Sequence, residues 1–416
     1  MILLTFMPMR LKLCLKGVVH IKTFIFIIII LLFTLFSGYS SPGDTANAPN
    51  TGESALFEPV AASPLGNTTQ QLQESLVPAT EAPELDIPED TTEIDIPDDI
   101  LGATVEETEP PRNIVTLTIS AAGDTTLGGD IYGAHVFMRE FELHDRDHSH
   151  FLRNVRHIFE QDDLTLINLE GTLTEATTHV DKTYVLRGPP HFAKILSSSG
   201  VDAVTLANNH SKDFFERGYQ DTLKSLEADG IAYFGNNINT ILEIKGIRVG
   251  LFGLAIWSDG ANYERQIKAA VENLKEKGAQ IIIAYYHWGT ENSNEPARHQ
   301  RTLGRYSIDN GVSLVLGAHP HVLQGIEEYK GKNIVYSLAN FSFGANNFPS
   351  DYDTIIFQQT FTFDEGILQD TNETNIIPAF VSSEKGRNNF QPTIAQGEEA
   401  ERILQRIKTY SEQLTN

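Results

Sequence analysis

From Asn113 onward, short apolar runs rich in β-branched residues alternate with amphipathic stretches, which predicts strands and helices in turn. Ile114 to Ala121 reads as a strand ending in Gly123-Asp124, and Leu164 to Leu169 as one ending in Glu170-Gly171, with a helix from His150 to Glu160 between them. Pro189 or Pro190 opens a helix that reaches Ser198, because a first helical residue needs no N–H donor. Val201 to Ala207 is a strand ending in Asn208-Asn209-His210, followed by a helix from Phe215 to Asp229 and a short strand from Ile231 to Phe234. Ile247 to Ala255 and Gln280 to Tyr286 are strands, the second ending in His287-Trp288-Gly289. Val312 to Leu316 leads into Gly317-Ala318-His319-Pro320-His321-Val322, and Asn333 to Leu338 ends in Ala339-Asn340-Phe341. Glu398 to Leu414 reads as an amphipathic helix with Ile403, Leu404, Ile407 and Leu414 on or near one face, expected to dock on the main domain. The alternation predicts an α/β fold with sheets covered by helices.

The polar residues fall at one end of these strands. Five strands stay apolar until their C-terminal ends and then emit, in order, Asp124, Glu170, Asn209 with His210, His287, and His319 with His321. One such residue is an ordinary cap or turn former. Five of them predict a shared site, since α/β folds bind ligands at the carboxyl ends of their strands. A set of carboxylates, imidazoles and one amide, without thiolate, suits Mn, Fe or Zn. Two such divalent ions can activate a bridging water and clamp the oxygens of a phosphoryl group.

Composition divides the chain of 416 residues into three parts. The net charge is -24, yet 41–112 alone holds sixteen Asp or Glu against one Arg, so the remainder is only moderately acidic. This balance argues against nucleic acid as a partner. Residues 41–112 are rich in Pro, Thr, Ser and acid, and carry the near-duplicates LDIPED and IDIPDD, so they read as a disordered, self-repelling spacer. Residues 1–40 hold four basic residues before the uncharged run Phe24–Phe36, which reads as a signal peptide or, because no small-x-small cleavage site follows, a signal anchor. The charge bias across it places the domain 113–416 outside the cytoplasm, anchored to the membrane. Cys14 is the single cysteine and precedes the apolar run, so disulfides, cysteine nucleophiles and thiolate metal sites are excluded downstream.

The order Gly-Asp, carboxylate-Gly, Asn-His, His, Gly-x-His-x-His resembles the calcineurin-like metallophosphoesterase superfamily. The segments GDTTLGGD, INLEGTLT, LANNHSKDFFERG, YYHWGTE, GAHPHVLQG and YSLANFSFG are more closely similar to the bacterial capsule synthesis protein family CapA, called PgsA in poly-γ-glutamate systems. The resemblance runs from Ile114 to the C-terminus and implies a layered sandwich of two sheets flanked by helices, with two divalent metals. It implies that Asp124 and His321 bind the first metal, that Asn209, His287 and His319 bind the second, and that Glu170 bridges them. His210 takes the place of the general acid, with Asp213 as its orienting partner; Asp213 reads equally well as a helix N-cap. The superfamily has His where this chain has Thr126, which implies a tight metal on the His319 side and a loose one beside His321.

Three further residues are candidates for contacting substrate. Arg187 can hold a phosphate or carboxylate or be an ordinary surface arginine. Glu291 can touch substrate or cap the following segment, and Asn340 can contact ligand or form a turn. His144, His148 and His150 form a cluster that could supply the ligand Thr126 does not. A nucleophile elbow, a P-loop and a dinucleotide-binding glycine pattern are all missing. The function expected from the resemblance is a membrane-anchored, extracytoplasmic, metal-dependent hydrolase in capsule or poly-γ-glutamate biosynthesis or export. Its substrate would be a phosphoester or a cell-surface polymer. The alternatives are a non-catalytic scaffold or polymer-binding subunit working with other synthase subunits, and a general cell-surface phosphodiesterase.

Overall fold

A strand buried on both faces must sort its side chains alternately into two apolar layers, and Ile281–Trp288 does so: Ile281, Ile283 and Tyr285 enter one, Ile282, Ala284, Tyr286 and Trp288 the other. The same sorting holds throughout the computed structural model, which describes residues 112–414. The apolar run Phe24–Phe36 and the acidic stretch as far as Pro111 lie outside the described residues. Among the described residues no helix is long and apolar enough to cross a membrane.

Among the described residues two large mixed sheets build the core, and a small third sheet pairs Gly129–Asp130 and Thr172–Leu173 with Leu186–Gly188. The larger runs Thr393–Ile394, Glu373–Phe380, Asp353–Asp364, Ile114–Thr126, Leu164–Leu169, Ala203–Thr205, Ala232–Phe234, parallel from Ile114–Thr126 onward and antiparallel on the other side. The smaller runs Ile326–Tyr329, Lys332–Val335, Leu314–Ala318, Ile281–Trp288, Ile247–Ile256, Thr240–Ile244, with antiparallel edges and a parallel centre. Leu117, Ile119 and Leu166 of the first sheet share one apolar layer with Leu251, Ile283 and Leu316 of the second, so the sheets pack face to face. Tyr285 crosses that layer to donate a 2.6 Å hydrogen bond to the Ala122 carbonyl. Helices Val136–Leu143, Ala193–Ser197 and Phe215–Ala228 cover the outer face of the larger sheet, and Ala261–Glu276 and Arg298–Asp309 cover that of the smaller.

The alternation leaves one problem at the strand that carries Asp124. Ala121 lies opposite Leu166 and faces the second sheet, while Ala122 lies opposite Ile167 and faces the helices. The register then skips Gly123, so that Asp124 pairs with Asn168 and both point between the sheets. A Cβ at position 123 would sit 1.9 Å from the Ala339 carbonyl oxygen, which leaves room only for glycine. His287, two residues beyond Tyr285, points the same way.

Several expected elements differ. The helix anticipated from His150 to Glu160 is a 3-10 turn at His148–His150 and a single helical turn at Arg156–Phe159, with Phe151, Leu152, Val155 and Phe159 all buried. The strand expected from Asn333 to Leu338 stops at Val335; the chain leaves the smaller sheet and re-enters the larger at Asn340–Phe343, beside Asp124. The closing helix is Gly397–Glu412. Its Ile403 and Ile407 enter the layer between the sheets, each worth about 2 kcal/mol of burial, whereas Leu404 is 38% exposed and lies off that face.

Two arginines fix this helix. Arg402 donates two 2.7 Å hydrogen bonds to Asp353, and Arg406 bonds to Asp353 and, at 2.7 Å, to Asp351. Burial would raise the Asp353 carboxyl, but the hydrogen bonds from Arg402 and Arg406 hold it below its ordinary value of 3.8. Asp353→Asn is therefore expected to lower stability by about 2 kcal/mol in urea unfolding of the full chain at neutral pH. Because the folded-state value is depressed, the difference from wild type is fully present above pH 3.8 and fades as the pH falls below it.

Candidate metal centre

Asp124 is fully buried, so its charge must be met by the groups around it. Oδ1 accepts a 2.7 Å hydrogen bond from Asn168 Nδ2, and Oδ2 accepts one from the His319 backbone N–H at 3.1 Å. His321 Nδ1 lies 3.1 Å from Oδ2. Burial alone would raise this carboxyl; the hydrogen bond and charge of His321, then His287 and Asn168, outweigh it and bring Asp124 to about 2. Asn168 continues the network, accepting from Asn208 Nδ2 at 3.1 Å, and Asn208 Oδ1 accepts from the His210 backbone N–H at 3.0 Å. Three strand ends are thus joined by a chain of amides.

Glu170 has no such support. It is 1% exposed, and neither carboxylate oxygen has a hydrogen-bond partner. Burial, and then the charge of Asp124, push it up to about 8. Nearby His321 is raised to about 9: burial opposes the shift, and Glu170 and Asp124 overcome it. One ligand atom each from Asp124, Glu170 and His321 lies within 4.8 Å of the others. An unpartnered buried carboxylate costs several kcal/mol unless a cation meets it, so this donor set fits a divalent metal. His319, 7% exposed, likewise leaves Nδ1 without a partner, and burial followed by the charge of His321 lowers it to about 4.

Backbone geometry aims the imidazoles. His319 has φ 95° and His321 φ 59°, a region that costs a side-chain-bearing residue free energy and persists only where the surroundings enforce it. The enforcement is visible: Asp124 holds the His319 N–H, while Asn340 Oδ1 lies 2.9 Å from His321 Nδ1 and Asn340 Nδ2 donates to the His321 carbonyl at 3.3 Å. With two oxygen acceptors at Nδ1, Nε2 of His321 is the free nitrogen. His287, driven well below its ordinary value by burial, places Nε2 2.8 Å from Asn209 Oδ1 and 3.7 Å from Glu170 Oε1. Its ring centroid is 4.6 Å from that of His319.

His210 stands at the rim. Its Nδ1 donates to Asp213 Oδ2 at 2.7 Å, and its Nε2 lies 3.9 Å from Glu170 Oε1. Asp213 also accepts from the Leu186 N–H at 2.7 Å and sits 2.7 Å from Lys182 Nζ. It makes no cap for the helix Phe215–Ala228. Of the two sequence readings, the hydrogen bond to His210 is the one the geometry contains.

The family described as bacterial capsule synthesis protein PGA_cap matches residues 118–345, a stretch holding all of these residues. The chain belongs to that family. The capsule biosynthesis protein CapA of Bacillus anthracis is 30% identical over 186 residues, 39% of this chain and 45% of the relative. The PGA biosynthesis protein CapA of Bacillus subtilis (strain 168) is 29% identical over 211 residues, 45% of this chain and 55% of the relative. A probable polyglutamine synthesis accessory protein of Mycobacterium tuberculosis is 26% identical over 229 residues, 48% of this chain and 58% of the relative. The chain spans about half the length of these curated relatives.

In this member of the capsule synthesis family, other candidates fall elsewhere. Arg187 donates to the Ala176 carbonyl at 2.7 Å, lies over the Phe214 ring, and lines a separate cavity of about 350 Å3 with His135, Glu175 and His191. His144 and His150 stack on each other, and His148 bonds to His191, so this cluster serves the helical layer. Thr126 donates to the Glu170 carbonyl at 2.8 Å and so positions Glu170. Asn168 and Asn208 were missed by sequence reasoning; the signal was an amide inside the otherwise apolar run Leu164–Leu169, which burial obliges to find partners. Trp257 was missed as well. It follows the strand Ile247–Ile256, is 47% exposed, and sets its ring edge-on to His319 at 5.1 Å and His287 at 5.9 Å.

The chain has two tryptophans, and the other, Trp288, is fully buried against Tyr336. Titrating the metal-stripped full chain with Co2+, a paramagnetic quencher, is expected to dim the Trp257 emission. Trp257→Phe should remove most of that quenching while leaving the Co2+ affinity from calorimetry unchanged.

Proposed function

We propose that this centre binds two divalent metals and that the chain is a metallophosphoesterase-type hydrolase acting in capsule or poly-γ-glutamate biosynthesis. Its substrate would be a phosphoester or an analogous tetrahedral centre of a cell-surface polymer. The observation that carries the reading is Glu170, a buried carboxylate with two unpartnered oxygens beside Asp124 and three imidazoles. Asp124, Glu170 and His321 would hold one ion, and Glu170, Asn209, His287 and His319 the other, in a metallophosphoesterase-like sandwich of two sheets. Mn, Fe or Zn suits such a set. Metals held there supply Lewis acidity and an acidified water.

The chain's own groups do the rest. His210, fixed through Nδ1 by Asp213, presents Nε2 towards Glu170, where it can pass a proton to a leaving oxygen. Lys182, 2.7 Å from Asp213 and bonded to the Asn209 carbonyl at 2.9 Å, holds this rim together. Asn168 and Asn340 fix the orientation of Asp124 and His321. We further propose that Phe24–Phe36 anchors the chain with this domain on the extracytoplasmic face, beside other synthase subunits.

The printed name of the mycobacterial relative, an accessory protein, favours a second reading in which the domain binds polymer or partners without turnover. An assay of the full chain with Mn2+ or Zn2+ on an aryl phosphodiester separates the two. Asp124→Asn and His319→Ala are each expected to lower kcat/KM by at least about a hundredfold, and His210→Ala to lower kcat by about a hundredfold with little change in KM. Activity indifferent to all three would sink the hydrolase. Restoration of surface polymer in a deletion strain by the His319→Ala, His321→Ala double variant would favour the scaffold.

A further inference from the structure

We infer that Glu291 is a metal ligand of this centre, closing it on the solvent side. The inference rests on the reading just given. Glu291, His319 and His321 each place one ligand atom within 4.8 Å of the other two, as Asp124, Glu170 and His321 do. His321 belongs to both groups, so the two share a corner. The buried His319 imidazole, whose Nδ1 has no partner, is part of the Glu291 group.

The position of Glu291 is built by the fold. After His287 the chain turns at Gly289, φ 93°, where a Cβ would meet the Gln300 amide oxygen at 2.5 Å. It is then tied back by the Asn292 N–H, which donates to the Pro320 carbonyl at 2.8 Å, in the middle of the His319-Pro320-His321 turn. Asn292 Oδ1 in turn accepts from Ser350 at 2.8 Å. Glu291 caps nothing: the next helix begins at Arg298, and the N–H of Ala297 just before it donates to the Gln300 amide oxygen. Among the described residues its carboxylate makes no hydrogen bond and no ion pair.

A third carboxylate changes what the site prefers. Asp124, Glu170 and Glu291 give an oxygen-rich set, and oxygen donors favour Mn2+ relative to Zn2+. Because Glu291 is exposed, Glu291→Gln is isosteric and leaves the core untouched.

The test is metal binding by the full chain, stripped of metal and titrated with Mn2+ and with Zn2+ in separate calorimetric runs. Glu291→Gln is expected to weaken Mn2+ at one position by about tenfold or more and Zn2+ by less, with the melting temperature of the metal-free form unchanged. Glu291→Asp should recover part of the Mn2+ affinity. Mn2+ binding by Glu291→Gln within twofold of wild type, with binding lost in Asp124→Asn, would overturn the assignment of Glu291 and leave the centre standing. A wild-type chain that binds neither ion would overturn both.

Discussion

Two carboxylates buried side by side, only one of them supplied with partners, set the terms for the rest of this structure. Asp124 is held by an amide, a backbone N–H and an imidazole, while Glu170 has none of these. Burial and then the charge of Asp124 drive the Glu170 carboxyl up, while the hydrogen bond and charge of His321 bring the Asp124 carboxyl down against its own burial. A fold does not keep such an arrangement for stability, since apolar replacements would cost less. On the proposed reading a cation gives the arrangement its sense, and the imidazoles of His287, His319 and His321 would share it.

The two-sheet architecture is what makes that concentration of polar groups possible. Each sheet sends the C-terminal ends of its parallel strands to the same edge of the sandwich, so residues distant in sequence meet without long loops. The Tyr285 hydroxyl on the Ala122 carbonyl locks the sheets together one residue before the skip at Gly123 that turns Asp124 inward. The passage of the chain from Val335 to Asn340 crosses between sheets and brings an amide to steady His321. Each of these contacts lies within a few residues of the centre, so distortion of the sheet packing is felt first by its side chains.

Membership of the capsule synthesis family joins this geometry to a biological setting without dictating its chemistry. The matched stretch covers the centre. Within it the Thr126 hydroxyl serves Glu170, and Glu291 and Trp257 stand on the solvent side.

The strand-end residues were legible in the sequence because a short apolar run, ended by a carboxylate, amide or imidazole, is a local pattern. Asp124, Glu170, Asn209, His287, His319 and His321 all lie where such reading put them, at one edge of the sheets. The choice between orienter and cap for Asp213, the fate of Arg187, and the parts played by Asn168, Asn208 and Trp257 depended on which faces meet. So did the outward turn of Leu404, since the layers that the closing helix meets decide which of its side chains are buried. The sequence by itself determined most of the elements and the chemistry at their ends, for these rest on neighbours along the chain. Which carboxylate is satisfied and which is left bare was decided only by the tertiary structure, because hydrogen-bond partners such as Asn168 and the His319 N–H reach Asp124 from residues 44 and 195 positions away.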